Sequence, residues 1–125
     1  MKNLMRSSIA AICVIVLLSA FVMPSAIVEW ERTTADFGTI KKGEPVSEKF
    51  FFTNKSDQPI TIIKTKTSCG CTVTEHTKSE IAPGEKGYVK AQYNAAKVGA
   101  FTKTVQVFTS ADENPFTLTI KGVVE

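Results

Sequence analysis

Two cysteines one residue apart are the side chains of this sequence best suited to chemistry. Cys69 and Cys71 flank Gly70 in the run Ser-Cys-Gly-Cys-Thr at residues 68–72. Thiols this close can form a local disulfide, share a soft metal ion, or remain reduced side by side. Each of these states predicts a different function, so the chemistry of the pair is the first question that the sequence raises.

The one-residue spacing sets the distance between the two sulfur atoms. In a regular strand, Cys69 and Cys71 point to the same face with Cα atoms about 6.6–6.8 Å apart, whereas disulfides prefer about 5.5–6 Å. Gly70 can relax this spacing, because it accepts dihedrals closed to other residues and lets the chain kink. The ring closed by such a disulfide is very small, so its entropic gain is small. The pair is therefore either a structural feature packed at a strand end or a strained, easily reduced bond.

Cys69 and Cys71 are also the candidate ligands of a soft metal ion. Two thiolates suit a near-linear Cu(I) site, whereas a structural zinc site normally needs four ligands. His76, the one histidine of the sequence, faces away from both cysteines in a straight strand and joins them only if the chain turns near Thr74. We therefore expect His76 at the surface and no cofactor, with Cu(I) or zinc at the two cysteines as the alternative.

The sequence predicts that the protein is not an enzyme. Thiol oxidoreductases use a Cys-x-x-Cys pair at a helix start, where the helix dipole favours the thiolate, and here the spacing is one residue shorter with no helical pattern after it. Lys64 and Lys66 could favour a thiolate electrostatically, which keeps a thiol-redox factor as the third interpretation. The sequence has no phosphate-binding Gly-rich loop, nucleophile elbow or metalloprotease His pair.

The first residues have the layout of a secretory signal. Lys2 and Arg6 precede an apolar run at 9–23, which a Pro-Ser-Ala stretch closes. The run of about 15 residues is short of the roughly 20 that a membrane-spanning helix needs. We therefore assign residues 1–26 to a cleaved signal peptide, with an uncleaved N-terminal anchor as the alternative, and residues 27–125 to the exported domain.

Export determines the compartment and the charge of the mature chain. Cys13 lies in the apolar run and leaves with the signal, whereas the Cys-Gly-Cys pair enters the periplasm or reaches the cell surface, where a disulfide persists. The 15 basic side chains fall to 13 without the two of the signal, against 12 acidic ones, which leaves a net charge of +1. With no basic stripe, nucleic acid is not an expected partner. Membrane contact is expected only through residues 1–26, if they stay uncleaved.

Short period-two segments separated by Gly, Pro, Asn and Asp recur after the signal and indicate strands. Seven strands are predicted, at 35–40, 46–53, 60–66, 72–75, 87–93, 101–109 and 116–124. The pattern predicts one all-β domain, an Ig-like antiparallel β-sandwich of about seven strands preceded by an N-terminal signal helix. The predicted core consists of Phe37, Val46, Phe50, Phe52, Ile60, Ile62, Val89, Ala91, Val105, Val107, Leu118 and Ile120.

Phe51 departs from the alternation of apolar and polar residues. It lies between two predicted core phenylalanines, so a regular strand points it outward. We expect a bulge or partial cover by a loop to account for it. The alternative is a contact with a partner, which requires neighbouring exposed apolar residues that form a patch with Phe51.

The sequence motifs resemble those of a known bacterial family. They are Asp36-Phe37-Gly38-Thr39-Ile40, Lys42-Gly43, Phe50-Phe51-Phe52-Thr53-Asn54, Thr67-Ser68-Cys69-Gly70-Cys71-Thr72, Ala82-Pro83-Gly84 and Leu118-Thr119-Ile120-Lys121-Gly122. With these motifs the chain resembles, over nearly the whole mature sequence, the family catalogued as domain of unknown function 1573. The resemblance implies an exported, single-domain Ig-like protein and brings no particular activity. A more distant resemblance connects it to the Ig-like modules of sperm-protein and ciliary scaffolds.

The sequence is best interpreted as an exported, soluble, non-enzymatic binding or structural module of the cell envelope. Its expected partners are envelope proteins, contacted through sheet edges and loops, although a fold alone does not imply a function. In the first hypothesis the Cys-Gly-Cys turn fixes a loop of this module. In the second the chain is a Cu(I) binder or carrier, and in the third it is a thiol-redox factor.

Overall fold

The computed structural model describes residues 27–125, and the predicted signal helix at 1–26 lies outside them. Eight strands follow one another within the described residues: β1 (Val28–Trp30), β2 (Thr34–Ile40), β3 (Val46–Asn54), β4 (Ile62–Thr67), β5 (Thr72–His76), β6 (Lys86–Tyr93), β7 (Gly99–Thr109) and β8 (Asp112–Val124). They form two four-stranded sheets, so the predicted all-β sandwich is confirmed. Among residues 27–125, no helix is long and apolar enough to cross a membrane.

The first sheet has the strand order β1-β3-β6-β5 and the second sheet the order β2-β8-β7-β4. Every neighbouring pair is antiparallel except β2 and β8, which run parallel. The parallel pair arises because the chain leaves β1 in the first sheet and enters the second sheet after a link of only three residues, 31–33. The sandwich therefore departs from the purely antiparallel pattern that local sequence predicts.

Several strand boundaries differ from the prediction. The short strand β1 was not predicted, and β4 begins at Ile62 because Ile60 makes only an isolated bridge to Ile81. The segment 112–115, which the sequence predicts as a loop, belongs to β8. It can do so because a register shift between β7 and β8 accommodates Pro115, a residue that sheets tolerate at irregular positions.

The core lies between the facing sides of the two sheets. Ten of the twelve predicted core residues are buried, and the other two, Phe37 and Val46, are half-buried against the core. Trp30 extends this core at one edge, with its ring 4.9 Å from that of Phe52 and 5.9 Å from that of Phe116. Since Phe52 and Phe116 belong to different sheets, Trp30 packs the two layers together.

The strand directions separate the start of the described chain from the cysteines. Val28 is paired with Asn54 at the end of β3, whereas Val46, at the start of β3, is level with Tyr93 and therefore with Thr72 on β5. The nine residues of β3 span about 26–30 Å at 3.2–3.4 Å per residue. The Cys-Gly-Cys turn therefore lies at the end of the sandwich opposite to the point where residue 27 enters.

Candidate functional site: the cysteine turn and the β5 strand

Residues 68–71, here called the cysteine turn, connect β4 of the second sheet to β5 of the first. Both strands are edge strands on the same side of the sandwich. Their hydroxyls meet where the Oγ1 atoms of Thr65 and Thr74 lie 2.6 Å apart, in a hydrogen bond between the two sheets. The two sheets are therefore connected here in two ways, covalently by the cysteine turn and by the hydrogen bond between Thr65 and Thr74.

Backbone hydrogen bonds fix the cysteine turn to both sheets. The N–H of Ser68 donates to the carbonyl of Thr104 on β7 at 3.0 Å, and the N–H of Thr104 donates back to the Ser68 hydroxyl at 3.0 Å. On the other side, the N–H of Asn94, which follows β6, donates to the carbonyl of Cys71 at 3.1 Å. Within the turn, the hydroxyl of Thr67 donates to the carbonyl of Cys69 at 3.0 Å. The turn thus has a defined position relative to each layer.

The structure joins the sulfur atoms of Cys69 and Cys71, with Cα atoms 5.3 Å apart. This separation is shorter than a straight strand gives and falls within the range that disulfides use. Both cysteines are half-buried, and Cys71 packs against the core. The redox state of the pair in the cell stays a prediction.

Gly70 does not act in the way expected from the sequence. Its φ angle lies outside the left-handed region that favours glycine, and a Cβ atom built on it meets no atom within 4 Å. The kink that brings the cysteines together therefore requires neither the conformational freedom nor the small size of glycine. The expectation that Gly70 supplies the kink through special dihedrals is wrong, because the turn achieves it with a backbone that other residues can adopt.

The structure does not bring His76 to the cysteines. β5 runs in unbroken register with β6 from Thr72 to His76, so the chain does not turn near Thr74. His76 is half-buried, and its Nδ1 atom lies 2.8 Å from the carbonyl oxygen of Thr77. Within residues 27–125, no three side chains of His, Cys, Asp or Glu gather as metal ligands. A metal at Cys69 and Cys71 would have to use their two thiolates, which requires the reduced form.

The lysines considered as thiolate-favouring groups lie on β4 before the turn. Lys64 places its Nζ atom 5.0 Å from the ring centre of Phe108, so its charge is directed to an aromatic face of the second sheet. Lys66 is exposed and pairs across the strand with Gln106. Within residues 27–125 neither lysine forms a hydrogen bond with the cysteines, so neither supports an activated thiolate.

Phe51 points outward, as the alternation of β3 predicts, but the expected bulge or loop cover is wrong. β3 and β6 run in continuous register, and Tyr88, directly opposite, places its ring 6.3 Å from that of Phe51, which stays 37% exposed. The Nζ atom of Lys49 lies 4.7 Å from the Tyr88 ring centre, and the Tyr88 hydroxyl donates to Glu75 at 3.1 Å. The neighbours of Phe51 described here, Tyr88 with Lys49 and Glu75, are thus polar or charged.

The hydrogen bond to Glu75 also affects the chemistry of Tyr88. It stabilises the protonated phenol, and desolvation and the negative charge of the carboxylate act in the same direction, so together they raise the pKa of Tyr88 above its ordinary value. Because Glu75 lies on β5 and Tyr88 on β6, this contact ties the outer faces of two neighbouring strands.

Sequence reasoning missed Val73 and Thr74 as candidate binding residues. Val73 points outward from β5 and is 65% exposed, more than any other large apolar side chain among residues 27–125. The sequence shows the strand but does not show that β5 lies at a sheet edge, because strand order depends on long-range pairing. If the strands paired in chain order, β5 would lie between β4 and β6, and the same residues would be in the middle of a sheet.

The two four-stranded sheets define a small β-sandwich domain, in which the cysteine turn joins edge strands of the two sheets. The chain belongs to the family described as Protein of unknown function (DUF1573), whose family model matches residues 28–124. A search of curated proteins gives no match.

Solved structures share this fold at low sequence identity. A protein of unknown function from Porphyromonas gingivalis W83 is 14% identical with a TM-score of 0.67, and the match covers 78% of this chain but 46% of that one, so the chain spans about half its length. The ASH/PapD-like domain 7 of human CEP192 is 11% identical with a TM-score of 0.66, covering 93% and 98% of the two chains. The Vibrio cholerae VesB protease is 18% identical with a TM-score of 0.62, covering 79% and 32%. These likenesses confirm the fold class, which is Ig-like and PapD-like, and the family description assigns no activity.

Proposed function

We propose that this protein is an exported, non-enzymatic binding module of the cell envelope, in which the cysteine turn fixes the crossing between the two sheets. Membership of a family with no assigned activity and the likeness to a PapD-like domain fit a binding or structural module. The observation that carries the proposal is the anchoring of the turn to both sheets by the backbone hydrogen bonds of Ser68 and Cys71.

A turn held in this way suits a structural joint better than a reaction centre. Catalytic thiols need access and a group that activates the thiolate, whereas Cys71 packs against the core. A joint is useful because β4 and β5 are edge strands of different sheets, which this link and the hydrogen bond between Thr65 and Thr74 hold side by side. The cysteines would then preserve the relative position of two potential binding edges.

The location in the envelope rests on the N-terminal sequence. Residues 1–26 have the charged start, apolar run and small-residue end of an export signal. The mature chain then works in the periplasm or on the cell surface, where its partners are envelope proteins and where a disulfide persists. Fractionation of cells that express the full-length chain tests this part, and recovery in the cytoplasm with the N-terminal segment intact would contradict it.

Native mass spectrometry of protein exported from the full-length chain tests the role of the cysteines. We expect a mass lower by two hydrogens than that of the dithiol, no metal adduct, and the same fold when both Cys69 and Cys71 are changed to Ser. Purification must avoid reductant and chelator. A copper or zinc adduct that the double variant loses would instead establish the soft-metal alternative. Rapid turnover of a disulfide substrate would establish the redox alternative.

Site-specific crosslinking in cells tests the binding role. A photoreactive amino acid placed at Val73, Ile63 or Val98, which lie on separate exposed surfaces, should give a discrete adduct with an envelope protein from at least one of these positions. If none of the three positions gives an adduct while the protein is exported and folded, the proposal of a binding module is contradicted.

A further inference from the structure

The two sheets end in four edge strands, and three of these carry features that oppose pairing with another chain. β1 has only three residues. The pairing of β2 is interrupted by a register shift between Asp36 and Thr39, and that of β4 by a shift between Ile62 and Lys64. β4 also carries two lysines on an edge. Short length, irregularities and lysines are the usual means by which proteins keep sheet edges from pairing.

The fourth edge strand, β5, has none of these features. Its five residues, Thr-Val-Thr-Glu-His, include no Lys, Pro or Gly, and its register with β6 is continuous from Thr72 to His76. Three of the five are β-branched, which favours an extended strand. It also exposes Val73 at 65%. β5 is therefore the edge of residues 27–125 that is best suited to receive another strand.

The hydrogen-bond pattern shows which backbone groups of β5 are available. The carbonyl of Cys71 accepts from Asn94, and the N–H of Thr77 donates to Tyr88, so these two residues face β6. Backbone groups of an antiparallel strand alternate between its two sides, so Val73 and Glu75 also face β6. The backbone groups of the residues between them, Thr72, Thr74 and His76, point to the open side of β5. The N–H of Thr72 already donates to the carbonyl of Cys69 at 3.3 Å, so the groups available to another strand are the carbonyl of Thr72 and both groups of Thr74 and His76.

We propose that the open side of β5 binds an extended segment of another protein, which becomes a fifth strand of the first sheet. This inference rests on the proposed function as a binding module and names its surface. Main-chain hydrogen bonds to the residues around Thr74 would supply affinity, and side chains opposite Val73 and Glu75 would supply specificity. The segment that fits presents an apolar residue opposite Val73 and a basic residue opposite Glu75, two positions apart on one face.

The charge of the outer face supports this choice of partner. Glu75 pairs across the strand with Lys90 on its inner neighbour, β6, and has an open position on its other side. A basic residue placed there would give Glu75 a cation on each side, whereas an acidic residue would face a like charge, which cross-strand pairs disfavour. An apolar residue opposite Val73 would cover the most exposed large apolar side chain of the described chain.

A second copy of this chain fits the open edge less well. If two copies pair antiparallel with Thr74 opposite Thr74, Val73 of one copy lies opposite Glu75 of the other. If they pair with Val73 opposite Val73, only Thr72 and Thr74 can form hydrogen bonds across the pair. Either arrangement joins five-residue strands edge to edge, far below the roughly 800 Å² per partner of a stable protein interface. A foreign segment is not restricted to this sequence and can extend its contacts beyond β5.

The cysteine turn prepares this edge for binding. It ends at Cys71, directly before β5, and fixes the start of the strand through the hydrogen bond from the N–H of Asn94 to the carbonyl of Cys71. A strand that is already ordered loses less conformational entropy when a segment binds. The cysteine turn would therefore also order the binding surface directly, in addition to joining the two sheets.

Selection from a display library of random decapeptides tests the inference directly. The target is folded protein recovered from cells that express the full-length chain. We expect enriched peptides with an apolar and a basic residue two positions apart. Val73→Lys should weaken their binding about tenfold or more, because the new charge opposes the basic residue and the apolar pair is lost. The matched control is Ile63→Lys, which also replaces an exposed β-branched apolar residue with Lys, on the β4 edge at a similarly exposed position (62%), and should leave binding unchanged.

A second pair of variants separates backbone pairing from side-chain effects. Thr74→Pro removes the N–H that faces the open side without removing a hydrogen bond to β6, and edge strands tolerate proline in such a position. It should abolish peptide binding, whereas Thr74→Ala, which loses the same hydroxyl but keeps the N–H, should retain it. Circular dichroism confirms that each variant is folded.

Three results of these experiments on the purified protein would overturn the inference. They are the absence of any enriched peptide, peptides whose binding survives both Val73→Lys and Thr74→Pro, and a concentration-dependent dimer that Val73→Lys abolishes, which would make a second copy the occupant. Crosslinks in cells from Ile63 or Val98 but not from Val73 would leave the binding module intact and refute the β5 site alone.

Discussion

Replacing Asn54 with Ala should destabilise the domain far more than its polar, loop-like sequence context indicates. Asn54 ends β3 and is fully buried. Its Nδ2 donates to the carbonyls of Gln58 at 2.8 Å and Ile81 at 2.9 Å. Its Oδ1 accepts from the N–H of Ser56 at 2.9 Å and from the Ser56 hydroxyl at 2.7 Å. One side chain thus connects the end of β3, the following loop and the segment before β6.

The expected loss follows from these four hydrogen bonds. Each contributes about 0.5–1.5 kcal/mol net, and more when a buried partner is left unsatisfied. Ser56 is only half-buried and can bond to water, and the Ile81 carbonyl keeps the hydrogen bond from Ile60, which reduces the penalty. We therefore expect Asn54→Ala to lower the free energy of unfolding by about 3 kcal/mol. For a domain of this size the melting temperature should fall by about 12–24 °C.

Urea unfolding followed by circular dichroism measures this change. The matched control is Asn94→Ala, since Asn94 also accepts a hydrogen bond from the N–H two residues later, at 3.1 Å, but is exposed. It should cost about 0.5 kcal/mol, the low end for a solvent-accessible hydrogen bond. If Asn54→Ala lowered the free energy of unfolding no more than Asn94→Ala does, the buried amide of Asn54 would not be what organises the loops.

Three further predictions follow from other contacts. Gly87→Ala should destabilise the domain by about 1–3 kcal/mol in urea unfolding, because its Cβ would lie 2.6 Å from the Cζ atom of Phe52, whereas Gly70→Ala should be neutral or slightly stabilising. Glu75→Gln should lower the pKa of Tyr88, measured by ultraviolet absorbance at alkaline pH, because the carboxylate that favours the protonated phenol loses its charge; an unchanged titration would contradict the contact. Changing both Cys69 and Cys71 to Ser should lower the free energy of unfolding by no more than about 1.6 kcal/mol, the chain-entropy value for a three-residue loop. A decrease of about 4 kcal/mol or more, on the order of a long-loop disulfide, would show that the pair has another role.

The strands that could be predicted from the sequence are those whose information is local. β6 and β8 alternate apolar and polar residues, and their inward side chains, such as Val89 and Leu118, are fully buried. β1 could not be predicted in the same way, because three residues are too few to show a period. The parallel pairing of β2 with β8 depends on contacts about 85 positions apart along the chain, which no local pattern encodes.

In the candidate site, too, only the features that depend on local sequence could be predicted. The one-residue spacing of the cysteines predicts that they lie together, and the structure joins them with Cα atoms 5.3 Å apart. The position of the turn between the two sheets, and the open edge of β5 that follows it, depend on strand order. The burial of Asn54 could not be predicted either. A polar residue beside a turn is expected to be exposed, and Asn54 is buried because of how the following loop folds, which local sequence does not show.

The two ends of the sandwich give the proposed binding edge on β5 a direction. The described chain enters at the end where β1 meets the last residues of β3, and β5 starts at the opposite end, beside the cysteine turn. A domain held to a membrane or to a larger assembly through residue 27 would therefore present the cysteine turn and the first residues of β5 outward. A segment of a partner could then reach β5 without passing the point of attachment, and reduction of the turn would act on the part of the edge that the partner meets first.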